Sequence, residues 1–154
     1  MNRRDTLVSA TFFVLGVAGV LTGTFAYIAP AAFFETFAGY TGTSNLHLMR
    51  DVGAAYLAAG GALTWAALMS RWRAPLTSVS AIFLGLHAIA HVLDLASGQA
   101  PLAHLFADLV QVLFPAAMVS GLALYFLCND SSGPLPRAPR PDDRTTGDLR
   151  PSRR

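Results

Sequence analysis

Two histidines and an aspartate fall on one face of a predicted helix in the third apolar segment of the sequence. His87, His91 and Asp94 are separated by four and three residues, and at about 100° per residue they lie within an arc of about 60°. A neutral imidazole can bond a carbonyl oxygen and exchange protons near neutral pH, and a carboxylate can fix its tautomer. The pattern predicts a polar face suited to binding a small molecule or transferring protons.

The fourth apolar segment repeats this spacing. His104, Asp108 and Gln111 are again four and three residues apart, and the two segments run in opposite directions from a short loop. Counting from that loop predicts that His91 approaches Asp108 and that Asp94 approaches His104.

Other residues are expected to bear on the same site. Arg50 and Asp51 open the second apolar segment at the same end, so we expect them to join the cluster. Pro115 cannot donate to the carbonyl of Gln111, which predicts a free backbone acceptor and a bend on the polar face. His47 is expected to lie in water.

Three interpretations of the cluster are open. The polar groups can serve only as hydrogen bonds and ion pairs that fix helix packing. They can form a proton-coupled or redox site for a small molecule such as a quinone. They can also bind a metal or haem, in which case the imidazoles of His87, His91 and His104 are the candidate ligands. No cofactor is selected among quinone, metal and haem, and no catalytic residue is assigned.

The composition places the helices that carry these residues in lipid. Of the 154 residues, 53% are hydrophobic and 13% are charged, whereas an ordinary soluble domain has roughly 25% charged residues. Four largely uncharged segments, at about 6–29, 50–70, 75–95 and 104–128, are long enough to cross a hydrocarbon core of about 30 Å. The sequence predicts an all-α fold in which residues 1–128 form a four-transmembrane-helix bundle. A water-soluble enzyme is excluded.

The arginines predict the orientation of this bundle. The loops at 30–49 and 95–104 contain no arginine, whereas arginines flank the first segment, the turn between the second and third, and the end of the fourth. Because positive residues favour the cytoplasmic side, we expect a multi-pass protein of the cell membrane with cytoplasmic N- and C-termini. No basic face exists that would bind nucleic acid.

Two further segments are predicted outside the spans. Residues 129–154 hold five of the nine prolines and mix both charge signs, a composition that predicts a disordered cytoplasmic tail. After Pro30, the phenylalanines at 33, 34 and 37 share one face of a short helix ended by Gly39. We expect this helix to lie at the outer membrane interface.

Small residues predict where the helices touch. The first segment has glycines at 16, 19 and 23, and the second has alanines at 54, 58, 62 and 66 beside glycines at 53, 60 and 61. Small residues at this spacing let helix backbones approach closely. The pattern fits contact within the bundle and contact between two copies equally well.

Three stretches resemble the DoxX-like group of small four-helix bacterial membrane proteins. FAYIAPAAFFETFAGY carries a proline after the first span and then a short aromatic segment, HLMRDVGAAYLAAGG opens the second span with an Arg and a Gly, and FLGLHAIAHVLD is similar to one branch of the group. The likeness covers residues 7–128. It implies a four-helix membrane bundle associated with thiol, thiosulfate or quinone oxidoreductase systems, and it carries over no catalytic residues.

The expected function combines the residues with this resemblance. We expect a redox-associated membrane subunit that binds a quinone-like or other small molecule. His87, His91 and His104 are expected to bind it, and Asp94 and Asp108 to orient these histidines. The expected partners are the lipid bilayer and either a second copy of the chain or a membrane redox complex. The alternatives are a non-enzymatic membrane scaffold whose polar residues serve helix packing, and a metal- or haem-binding membrane protein.

Overall fold

The computed structural model describes residues 3–129, and these are helical with no strand among them. The all-α prediction is therefore confirmed. The α-helices in chain order are α1 (Arg3–Ile28), α2 (Pro30–Phe33), α3 (Leu46–Leu68), α4 (Arg73–Ala96), α5 (Leu105–Asp108) and α6 (Phe114–Asn129). Two π-helical turns continue them, Phe34–Ala38 after α2 and Leu109–Leu113 between α5 and α6. Asn129, expected at the start of the tail, belongs to α6, and the remaining tail prediction lies outside the described residues.

Local sequence explains where the helices begin and end. The first helix stops before Ala29, because the residue preceding Pro30 is disfavoured in the helical region, and Ala29 adopts φ −124° and ψ 60°. The side chain of Asn45 caps α3 by accepting from the backbone N–H groups of His47 and Leu48, both at 3.1 Å. Gly98 follows α4 with φ 75°, a conformation that glycine adopts without a steric penalty.

Three helical stretches are long and apolar enough to cross a membrane: Arg3–Ile28, Ser70–Ala96 and Leu102–Asn129. They match the first, third and fourth predicted spans. The second predicted span corresponds to α3, which has 23 residues and is not among these three stretches. Alanine and glycine take the place of larger apolar residues in much of α3, and Arg50 and Asp51 in its first turns lower its hydropathy.

Glycine backbones form the contact between α1 and α3. A Cβ atom added to Gly60 would lie 2.5 Å from the backbone nitrogen of Val20, and one added to Gly23 would lie 2.6 Å from that of Leu57. Packing of small residues within the bundle is thus confirmed for Gly16, Gly19, Gly23, Gly53 and Gly60. Ala54, Ala58 and Gly61 are exposed and lie outside this contact, because the face of α3 that meets α1 is defined by Gly53 and Gly60.

The remaining contacts arrange the four long helical stretches side by side. Helix α4 packs against α3 and α6, and a central apolar cluster joins Phe12, Leu63, Ala66 and Val119. The ring of Phe12 also contacts Phe126 at 5.8 Å between centroids. These contacts place α6 beside α1 and enclose one face of α4.

The two ends of the molecule differ in chemistry. At one end, called here the arginine end, the guanidinium of Arg73 lies 3.6 Å from the Asp5 carboxylate and donates to Ser9 Oγ at 2.7 Å. Arg4 at the same end donates to the Tyr125 hydroxyl at 2.6 Å. The opposite end, called the histidine end, contains the loop after α2 and the connection from α4 to α5.

The segment after Pro30 folds against α1. Phe33 is buried, and its ring lies 5.6 Å from Phe25 of α1 and 5.1 Å from Phe37. Glu35 is exposed, as the predicted amphipathic pattern requires. The helix was expected to be continuous to Gly39, but it changes to a π-helical turn at Phe34.

Candidate functional site

The centre of the candidate site is a contact between α4 and the last residue of α5. His91 Nδ1 lies 3.2 Å from Asp108 Oδ1, and the two side chains are 20% and 13% exposed. This distance confirms the predicted approach of His91 to Asp108. The contact is not directed as a hydrogen bond, and buried Nδ1 has no hydrogen-bond partner among residues 3–129. The Nδ1 atom of His91 can therefore form a further hydrogen bond.

A π-helical turn positions Asp108. The turn Leu109–Leu113 begins directly after this residue and ends before Pro115. Proline lacks an N–H, and its ring crowds the carbonyl four residues earlier, which here is that of Gln111. A wider turn accommodates this crowding and rotates the preceding residues relative to the rest of the helix. The predicted irregularity at Pro115 thus takes the form of a π-helical turn.

His87, one helical turn before His91, lies among aromatic rings. The imidazole of His87 stacks on Phe83 at 5.9 Å and 21°, and it meets the edge of Tyr56 at 5.5 Å and 81°. Its centroid lies 4.7 Å from that of His91. The structure thus brings the two α4 histidines together within an aromatic wall.

A tyrosine from the loop after α2 contacts His104 at the histidine end. The ring of Tyr40 packs on His104 with centroids 4.6 Å apart. Burial raises the pKa of the Tyr40 phenol above its usual value, and the carboxylates of Asp108 and then Asp94 raise this pKa further. Tyr40 therefore lies close enough to both carboxylates to sense their charge.

The second predicted pair is not formed directly. No ion pair joins Asp94 to His104 within the part of the chain that the structure describes, where the contact of His104 is with Tyr40. The backbone carbonyl of Asp94 accepts from the N–H groups of Gln99 and Ala100 at 2.9 and 3.1 Å. His104 packs on the ring of Tyr40 in place of the expected contact with the Asp94 carboxylate.

Three sequence-predicted residues lie outside the cluster. Arg50 and Gln111 are exposed, and Asp51 lies 3.6 Å from His47 on the exposed first turns of α3. The two residues at the start of α3 project from its surface because the glycine face of that helix, which is turned inward, does not include them.

Sequence reasoning missed Tyr40 and Tyr56. Tyr56 had one available signal, since it is an aromatic residue in a helix made largely of alanine and glycine. Tyr40 had none, because its position depends on how the loop after α2 folds back over His104.

The three candidate metal ligands do not form one group. Among residues 3–129, no set of three or more His, Cys, Asp or Glu side chains is arranged to hold a metal ion. His87 and His91 adjoin each other, whereas His104 packs on Tyr40.

Two apolar surface grooves lie away from these side chains. A groove of about 420 Å³ between α4 and α6 is lined by residues such as Val92 and Ala116, and one of about 360 Å³ beside α3 is lined by residues such as Gly61 and Trp65. The candidate histidines line neither groove.

Comparison with family models, with curated proteins and with solved structures finds no match for this chain. The DoxX-like resemblance accordingly remains an expectation from the sequence. The chemistry of the site rests on its own geometry: an imidazole lies beside a carboxylate, a second imidazole lies among aromatic rings, and a tyrosine ring packs on a third imidazole.

Proposed function

We propose that the His87, His91 and Asp108 cluster binds a small ring molecule with a carbonyl oxygen, such as a quinone, in a redox-associated membrane subunit. The observation that carries this proposal is the buried Nδ1 of His91, which has no hydrogen-bond partner among residues 3–129 although it lies 3.2 Å from a carboxylate. A buried polar nitrogen without a partner is costly, so it favours a bound group that completes its bonding. An imidazole N–H group at this position can donate to the carbonyl oxygen of a ligand.

The aromatic wall supports a flat ligand. Phe83, Tyr56 and His87 present ring faces and edges within 6 Å of one another, and such surfaces pack well on a planar ring. A quinone reduced at this site would take up protons, for which imidazoles are the suitable donors near neutral pH.

We propose further that the chain spans the cell membrane four times, with the arginine end cytoplasmic and the histidine end outward. Support comes from the three apolar helices and from the glycine contacts that hold α3 along α1. A helix packed along a spanning helix at this distance shares its depth in the bilayer. The distribution of arginines indicates which end faces the cytoplasm.

Cysteine labelling in sealed cells tests this orientation. Cysteines replacing Thr43 and Gln99 should react with an impermeant reagent added outside. A cysteine replacing Ser132, which lies outside the described residues, should react only after the cells are opened. Labelling of position 132 from outside would contradict the proposed orientation.

Binding of a short-chain benzoquinone to the purified protein tests the site. We expect calorimetric binding by the wild type, loss of binding in His91→Gln, and unchanged binding in His47→Gln, whose imidazole is 87% exposed. Glutamine retains a hydrogen-bonding group but does not titrate near neutral pH. Retained binding in His87→Gln, His91→Gln and His104→Gln alike would refute the proposal.

The same variants test a second function, in which the cluster serves helix packing only. The observation that favours it is that His91 and Asp108 join α4 to the α5–α6 stretch at close range. In that case no variant changes quinone binding. His91→Gln then lowers only the melting temperature, because the free energy of unfolding falls by roughly 1 kcal/mol. An absorption spectrum and metal analysis of the purified protein test the metal and haem alternative.

A further inference from the structure

A polar stripe follows the whole length of α4, well beyond the histidine cluster. At about 100° per residue its members fall within an arc of about 100°. All are buried or half-buried, in the order Arg73, Thr77, Ser80, His87, His91 and Asp94. Leu84 occupies the same face between Ser80 and His87 and packs on the central apolar cluster. The helix therefore presents polar groups inward at both ends and an apolar residue in the middle.

The buried polar atoms that lack partners all belong to this stripe. Among residues 3–129, buried side-chain nitrogen or oxygen atoms without a hydrogen bond are Arg73 Nε, Thr77 Oγ1 and His91 Nδ1. Thr77 is 0% exposed and Arg73 is 7% exposed. Side chains four residues apart are neighbours on a helix surface, so the first two atoms face one space. Buried polar atoms of this kind are normally satisfied by ordered water.

Polar groups of other helices continue this space towards the arginine end. Ser9 of α1 accepts from Arg73 Nη2 at 2.7 Å, and Asp5 lies 3.6 Å from Arg73 Nη1 with 52% of its side chain exposed. On the other side, Ser80 Oγ donates to the carbonyl of Ala59 at 3.0 Å. A water molecule near Thr77 would thus have polar neighbours on three helices and a path to solvent at Asp5.

We infer that ordered water occupies the arginine-end half of the α4 stripe, held by Arg73 and Thr77, and that the apolar layer at Leu84 separates this water from the histidine cluster. The seven helical steps from Ser80 to His87 span about 10 Å, which is a short distance for a chain of water molecules once the apolar side chain is removed. The layer acts as a hydrophobic constriction that keeps the path dry. The functional meaning of the path, proton supply from the arginine end, rests on the proposed function, whereas the water itself does not.

Proton flux into vesicles tests the apolar layer. The full chain is reconstituted in phosphatidylcholine vesicles that contain a pH-sensitive dye, and an acid pulse is applied outside. We expect slow acidification with the wild type and roughly tenfold faster acidification with Leu84→Ser, because a hydroxyl lets water cross the constriction. The matched control is Leu86→Ser, since Leu86 lies on the opposite face and is 64% exposed. Adding Thr77→Val to Leu84→Ser should return the flux to the wild-type rate.

Two outcomes overturn the inference. One is equal flux in the Leu84 and Leu86 variants. The other concerns Thr77→Val alone, a variant that tests the water even if Leu84→Ser does not fold. Loss of a water-bonded hydroxyl should lower the melting temperature. An unchanged or higher melting temperature would mean that the Thr77 hydroxyl binds no water. Loss of quinone binding has no part in either measurement, so the proposed function and this inference can fail separately.

Discussion

Replacing Gly60 by alanine should separate α1 from α3, whereas the same change at the next residue should not. A Cβ atom at Gly60 would lie 2.5 Å from the backbone nitrogen of Val20 and 2.7 Å from the carbonyl oxygen of Gly16. Backbone atoms cannot rotate away as a side chain can. A Cβ atom at Gly61 would meet nothing within 4 Å, so this position is a matched control in the same helix.

The structure sets the size of the effect. Reaching an ordinary contact of 3.4 Å from 2.5 Å requires the helices to part by about 0.9 Å at this point, a gap that forfeits a quarter to a half of each dispersion contact nearby. Overpacking of this kind costs about 2 kcal/mol. Gly61→Ala should instead stabilise α3 by up to about 1 kcal/mol, since alanine is the better helix former.

The assay is reversible unfolding in mixed micelles, followed by far-ultraviolet circular dichroism. We expect Gly60→Ala to unfold at lower denaturing detergent than the wild type, and Gly61→Ala to unfold at equal or higher detergent. Equal destabilisation of both variants, or none in either, would refute the argument that backbone contact at Gly60 holds the two helices together.

Three further substitutions test the two ends of the molecule. Asp108→Asn should lower the pKa of the Tyr40 phenol in an ultraviolet titration, because the Asp108 carboxylate helps to raise this pKa. In the wild type, the stability that Tyr40 contributes should be complete below about pH 10 and should fall as the pH rises through the raised pKa. Arg73→Gln should destabilise the protein by about 2 kcal/mol, since it removes the charged hydrogen-bond partner of the half-buried Ser9 hydroxyl. Asp5→Asn should cost less than about 1 kcal/mol in the same unfolding assay, because Asp5 is 52% exposed.

Local sequence was sufficient to predict the helices. The first segment, predicted at about 6–29, is helical over Arg3–Ile28, and the third, predicted at 75–95, is helical over Arg73–Ala96. Uncharged runs of this length and the punctuation by Pro30 are local signals, so they do not depend on how the chain packs. The break ahead of Pro115 was predictable for the same reason.

Only part of the candidate site was predictable. His91 and Asp108 sit on neighbouring segments joined by a short loop, so counting residues from that loop brought them together. Tyr40 and Tyr56 come from elsewhere in the chain, and their contacts with His104 and His87 depend on the arrangement of whole elements. No count along one helix can supply that arrangement.

The sequence by itself determined that the chain is helical, which segments are apolar, and that one face of α4 carries ionisable groups, because each of these follows from composition and from the helical period. Tertiary structure alone decided which small residues of α3 meet α1, leaving Ala58 exposed and Gly60 against backbone. It also decided that Arg50 and Asp51 stay at the surface while Tyr40 packs on His104. The physical reason is that a helical pattern specifies a face but not its partner, and the partner is selected by close packing among all the helices together.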